Sequence, residues 1–172
     1  FLIGRTYKDF VSYTDENDTV SIVEMDTVYN GQSGPFMQTF KFLSYSFMFI
    51  IYHEEKTAKA MVEGVDLLET ILGKDLFLKE VKVIKTDRGS EFSDAEGLEK
   101  DNDGSIRTHV FYCDPMQSCQ KGSLENNHKE IYADIGINLL MRTKILCRVN
   151  LDNPLIIIQF SLFYRHNASH FK

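Results

Sequence analysis

Lys85-Thr86-Asp87-Arg88-Gly89-Ser90-Glu91-Phe92 follows directly on the apolar run of residues 78–84. Val81, Val83 and Ile84 are β-branched, so residues 80–86 read as a short buried strand. The strand ends on an acid, Asp87, and Gly89 lets the chain turn sharply just beyond it. A carboxylate at the tip of a core strand, beside a glycine turn, is well placed to hold a metal ion rigidly. The other acids of interest are therefore those that could meet Asp87.

Upstream, residues 1–18 read as a lead-in segment with a short helix, because Tyr7, Phe10 and Tyr13 recur at helical spacing. Residues 19–28 alternate and are rich in β-branched side chains, which predicts a strand with Asp26 near its end. Residues 30–35 carry Gly31, Gly34 and Pro35, a turn signal, and residues 36–43 and 46–52 read as two further strands of an antiparallel meander. Thr57 can cap a helix whose apolar positions, from Ala58 to Leu72, step by three and four, and Gly73 stops it. After Asp87, residues 90–100 read as helix or loop, residues 101–104 (Asp-Asn-Asp-Gly) as a turn, and residues 108–113 as another strand. A helix is expected from Ser123. The order β-β-β-α-β-α-β-α suggests an α/β fold with a mixed sheet of five strands and helices on both faces.

At 172 residues the chain is long enough to bury a real core as one domain. A formal charge of −6 has the wrong sign for a generic nucleic-acid binder, although an active site built from carboxylates lowers the charge by itself. The cysteines, Cys113, Cys119 and Cys147, form no CxxC pair, which points to reduced thiols in a cytoplasm. The longest apolar runs, residues 47–52 and 155–163, fall short of the ~20 residues of a membrane helix. The chain begins at Phe1 and not at Met, so an upstream part is expected. Composition breaks near residue 131: residues 1–130 carry a net charge of −9, residues 131–172 a net +3. In that tail, residues 135–149 could form a helix, and residues 155–164 a strand that would leave sticky surface unless covered.

Three acids fall where an acidic metal site needs them: Asp26 at the end of the first strand, Asp87 at the end of the fourth, and Glu125 in the first turn of the late helix. With the fourth strand beside the first, Asp26 and Asp87 lie side by side, and a helix crossing that end presents Glu125 to both. Converging carboxylates repel one another unless cations sit between them, and hard divalent ions are the natural occupants. Two such ions about 3.5–4 Å apart suit phosphoryl transfer. Each acid alone is more often a turn or capping group, and the nearby Glu91 and Asp114 read as groups that support the ligands or cap turns rather than as ligands. Gln120 and Lys121, in the polar loop before Glu125, could contact phosphate. There is no phosphate-binding glycine loop and no GxSxG elbow.

Four segments carry a resemblance: Val23-Glu24-Met25-Asp26-Thr27-Val28, the opening Lys85 to Phe92 stretch, Tyr112-Cys113-Asp114-Pro115, and Gln120-Lys121-Gly122-Ser123-Leu124-Glu125-Asn126-Asn127. In this order they resemble the catalytic core of bacterial DDE transposases, and within them the IS thirty insertion-sequence group. The resemblance covers residues 3 to 131 and implies an integrase-like core with a ribonuclease H-like fold. It implies that Asp26, Asp87 and Glu125 are the metal-binding catalytic triad, holding two Mg²⁺ (or Mn²⁺) ions, with Gln120, Lys121 and Asn126 as DNA-contact candidates. The implied reaction is nicking at transposon ends followed by attack of the freed 3′-hydroxyl on target DNA. The expected partners are DNA and further copies of the chain, with no membrane, in a bacterial cytoplasm at the nucleoid.

The expected organisation is thus a lead-in segment (1–18), a catalytic core (19–131) and an atypical tail (132–172). Members of the group carry an end-binding helix-turn-helix region upstream, and after the position of Glu130 they continue with basic residues and a Leu-Pro-Lys-Gly-like segment. Here Ile131-Tyr132-Ala133-Asp134-Ile135-Gly136-Ile137 follows instead. A frameshift or insertion that replaced the normal C-terminal part of the core would account for both this departure and the break in composition. Reading the encoding DNA in its other frames is expected to recover the Leu-Pro-Lys-Gly-like segment just past Glu130; its absence there would remove the explanation.

Overall fold

The computed structural model describes residues 1–17, 19–29, 36–45, 47–117, 120, 144–147 and 156–160. The elements are helix α1 (Tyr7–Glu16), strands β1 (Ile22–Tyr29), β2 (Phe36–Phe42) and β3 (Phe47–His53), helices α2 (Ala58–Leu72) and α3 (Lys74–Glu80), and strand β4 (Val83–Thr86). A single 3₁₀ turn (Ser90–Phe92), helix α4 (Ala95–Glu99) and strand β5 (His109–Tyr112) follow, then β6 (Lys144–Cys147) and β7 (Ile156–Phe160). The strand order is β5-β4-β1-β2-β3-β7-β6.

The five expected strands form a contiguous mixed sheet, β5-β4-β1-β2-β3. β1, β2 and β3 make the antiparallel meander, with Met25 opposite Phe40 and Phe40 opposite Phe49. β4 lies parallel to β1, and β5 parallel to β4. Helices cover both faces, so this α/β fold is ribonuclease H-like. On one face Met61, Val65 and Leu68 of α2, Phe77 of α3 and Leu98 of α4 pack on Met25, Phe40, Ile84 and Tyr112. On the other, Phe10 of α1 packs against Val83 and Phe111.

Local chemistry explains the helices. Thr6 and Asp9 close a capping box at the start of α1. Thr57 caps α2 by accepting from the Ala60 amide at 3.2 Å, a bond of about 1 kcal/mol. Gly73 ends α2 at φ +77°, where its lack of a Cβ matters. Buried Arg107 then ties α2 to α4, donating to Asp66 at 2.6 Å, Glu69 at 2.9 Å and the Leu98 carbonyl at 3.2 Å.

Three expectations need correction. The strand predicted over residues 80–86 begins only at Val83, because Leu76, Phe77 and Leu78 belong to α3, which turns Phe77 inward and leaves Leu76 and Leu78 exposed. A short apolar run has too few periods to separate a helix from a strand. Asp26 does not end β1: the strand runs three residues further, to Tyr29, because β2 pairs with it along its whole length to Phe36. The helix expected over residues 135–149 is replaced at 144–147 by β6, whose backbone pairs with β7. The strand expected within 155–164 is present as β7, and it lies antiparallel on β3, with Ile156 opposite Ile51. The turn at residues 30–35 and the helix from Ser123 lie outside the described residues.

A polar network sits inside the α2 side of the sheet. The buried Gln38 amide donates to the Met61 carbonyl at 3.0 Å, which points its oxygen at His53 Nε2, 2.9 Å away. Gly64 leaves room for it, since a Cβ there would overlap the Gln38 amide. The acceptor facing Nε2 makes this nitrogen the protonated one of the neutral ring. Burial pushes the His53 pKa down, and the charge of Glu63 only partly opposes this. A histidine with a lowered folded pKa contributes stability that is complete above its unfolded value, about 6.5, and is lost as pH falls below it. The urea midpoint should therefore fall between pH 7.5 and 5.5, and His53→Gln should flatten that slope; an equal slope in the variant would refute the assignment.

Candidate metal centre

The site is built on the parallel pairing of β1 and β4. Val23 lies opposite Ile84 and Glu24 opposite Lys85. Side chains alternate between faces along each strand. Val23, Met25 and Ile84 therefore share the α2 face, while Glu24 and Lys85 point to the α1 face with Val83. The pairing ends at Glu24 opposite Lys85; Asp26 lies two residues further along β1, and Asp87 two residues past Lys85, just beyond β4. Past this point the chain leaves β1 toward β2 on one side and β4 toward β5 on the other.

Each acid is oriented by its own backbone. Asp26 is half-buried, and its Oδ1 accepts from the Thr27 amide at 2.8 Å; its carbonyl accepts from Thr39 Oγ1 at 3.2 Å. Asp87, one residue beyond β4 and also half-buried, accepts from the Gly89 amide at 2.7 Å through Oδ1. Glu125 lies outside the described residues, as do Lys121 and Asn126. Gln120 is described: its side-chain oxygen accepts from the Asp114 amide at 2.7 Å and its amide donates to Asp114 Oδ2 at 3.2 Å. Among the described residues no group of three or more His, Cys, Asp or Glu side chains is arranged to hold a metal ion. Of the three expected ligands, Asp26 and Asp87 are described, and each offers hard carboxylate oxygens of the kind Mg²⁺ and Mn²⁺ prefer.

The surroundings hold residues that sequence reasoning did not single out. Thr27 Oγ1 donates to Glu91 Oε1 at 2.8 Å, and Lys56 Nζ lies 2.9 Å from the same oxygen. Lys56 also stands 4.3 Å above the Tyr29 ring. Burial works to lower the Lys56 pKa, but the hydrogen bond to Glu91 and the charges of Glu91, Tyr29 and Asp87 together hold it above the ordinary lysine value. Arg88 donates to the Cys113 carbonyl at 3.1 Å and to Asp114 at 2.6 Å, joining the Asp87 turn to the end of β5. Nothing in the spacing of Lys56 announces its role, because its partners are distant in sequence. Glu91, by contrast, belongs to the opening motif.

Beneath the acids, Lys85 and Glu24 form a 2.9 Å ion pair with side-chain exposures of 9% and 2%, and Lys85 stands 5.4 Å from the centre of the Phe10 ring. Removing one partner takes from the other its buried counter-charge. Lys85→Met should cost about 3–5 kcal/mol in urea unfolding, while the double change Lys85→Met, Glu24→Leu should recover most of it. A single variant as stable as the double would show that Glu24 is not held by this pair.

No protein-family model and no curated protein matches the sequence. Among solved structures, the chain is similar to the HTLV-2 integrase catalytic core domain in complex with magnesium. The dimeric form is 16% identical, with 69% of this chain and 75% of that chain covered and a TM-score of 0.41. The trimeric form is 13% identical, with 69% and 76% covered and a TM-score of 0.40. The simian T-cell lymphotropic virus intasome in complex with PP2A regulatory subunit B56 gamma is 15% identical, with 68% of this chain but only 43% of that chain covered and a TM-score of 0.44. It is the strand order and pairing, not these likenesses, that make the fold ribonuclease H-like.

Proposed function

We propose that this chain is the catalytic core of a DDE-type polynucleotidyl transferase, a transposase of the IS thirty insertion-sequence group. It nicks DNA at transposon ends and joins the freed 3′-hydroxyl to target DNA. The observation that supports this reading is the parallel β1–β4 pairing, whose last pair, Glu24 opposite Lys85, stands two residues before Asp26 on β1 and two residues before Asp87 just beyond β4. The four motifs quoted above occur in the order the family requires. Among the described residues no helix is long and apolar enough to cross a membrane.

Asp26 and Asp87, with Glu125 as third ligand, would hold Mg²⁺ or Mn²⁺ through carboxylate oxygens. When bound, a pair of such ions activates the attacking oxygen and stabilises the leaving oxygen of phosphoryl transfer. The chain's own contribution is orientation: the Thr27 and Gly89 amides each fix one oxygen of an acid before any cation arrives. Gln120, Lys121 and Asn126 are the candidates for contact with DNA. The partners are transposon ends, target DNA and further copies of the chain, and the place of action is the bacterial nucleoid.

Melting with and without Mn²⁺ tests the site. At a concentration one hundred times its dissociation constant, Mn²⁺ should raise the wild-type Tm by about 5–10 °C, and Asp87→Asn should abolish most of that rise. An unchanged response in Asp87→Asn would sink the proposal. Metal binding without nicking of DNA that carries the element's ends would point to an inactive remnant, a reading that the altered sequence after Glu130 also favours.

A further inference from the structure

Glu91 is only 6% exposed, and the acid pair leaves it without a role. Its Oε1 receives the Thr27 hydroxyl and the Lys56 ammonium. Thr27 directly follows Asp26, and Lys56 directly precedes the Thr57 cap of α2. The same carboxylate lies across Gly89: a Cβ at that position would stand 2.6–2.9 Å from Oε2, Cδ and Oε1. Gly89 has a φ of −57°, open to any L-residue, so its missing side chain provides room for Glu91 and not backbone freedom. The Gly89 amide is the group that holds Asp87 Oδ1. One buried carboxylate therefore touches both the residue after Asp26 and the residue that orients Asp87. It does so from the α2 face, the face to which Thr27 points and Asp26 does not.

We propose that Glu91 is a positioning residue for the Asp26–Asp87 pair: a buried clasp that joins Thr27 to the Asp87–Gly89 turn and thereby sets the affinity of the site for a divalent cation. This rests on the reading of Asp26 and Asp87 as metal ligands. Removing a group that orients ligands without touching the metal typically weakens metal binding by about 10–100-fold.

The test is the Mn²⁺ dissociation constant of the full chain, read from the paramagnetic resonance of free Mn²⁺, with circular-dichroism melting in chelator to establish that each variant is folded. Glu91→Ala should weaken binding by about 10–100-fold. Glu91→Gln should fall between, because its amide oxygen still accepts from Thr27 but no longer pairs with the Lys56 charge. Gly89→Ala should weaken binding through the displaced carboxylate, and should have no further effect once Glu91 is alanine. Wild-type affinity in folded Glu91→Ala, alongside loss of binding in Asp87→Asn, overturns the clasp and leaves the acid pair standing. If Glu91→Ala does not fold, wild-type affinity in folded Gly89→Ala and Thr27→Val overturns it equally. Binding that is absent, or indifferent to Asp87→Asn, overturns the acid pair and the clasp together.

Discussion

The parallel pairing of β1 with β4 is the constraint on which the rest depends. It is the seam between the meander of β1, β2 and β3 and the half of the sheet built from β4 and β5. Its register aligns Val23 with Ile84 on the α2 face and Glu24 with Lys85 on the α1 face. A slip of one residue would turn one strand's apolar set against the other strand's charged set, so the burial pattern itself enforces the register. Asp26 and Asp87 each follow the last pair of this ladder, Glu24 with Lys85, by two residues.

Buried charge in this protein serves placement more than stability. The apolar cluster on the α2 face, centred on Met25, Phe40, Met61, Leu68 and Ile84, supplies the hydrophobic driving force. The ion pairs join elements far apart in sequence: Glu24 to Lys85, Asp66 and Glu69 to Arg107, and Arg5 to Glu99. Glu99 also accepts from the Val110 amide at 3.0 Å, and the Tyr112 amide donates to the Arg5 carbonyl at 2.8 Å, so the segment before α1 is fastened to β5. A buried pair of charges contributes little net free energy, yet breaking one is costly, which makes each a strict test of correct assembly. The Tyr112 phenol follows the same logic. Burial pushes its pKa well above the ordinary value and keeps it protonated, so that it donates to the Phe92 carbonyl at 2.6 Å.

Much of the architecture was legible from residue order because its signals are local. The β-branched alternation of β1, the three- and four-residue steps of α2, the Thr57 cap and the Gly73 stop each act within one or two turns of chain. The same locality explains the errors. Residues 76–84 span the last turns of α3 and the start of β4, and an apolar run that short carries no decisive period. The end of β1 was misplaced because β2, not β1's own composition, keeps it extended to Tyr29. The tail strands follow the same rule, for β7 is a strand by pairing with β3 and β6.

By itself the sequence determined the kind of protein: a mixed α/β sheet, and a motif with Asp87, Gly89 and Glu91 in fixed order just past a core strand. These features depend on side-chain type and short spacing, and composition records both. Only the tertiary structure decided that Glu24 lies opposite Lys85 and pairs with its charge, and that Thr27, Lys56 and Gly89 converge on one buried carboxylate. Those relations join residues 35 to 64 positions apart, with the exception of Gly89 and Glu91. Their cause is the closing of a sheet, in which strand register and the pleat, and not nearness along the chain, choose the neighbours.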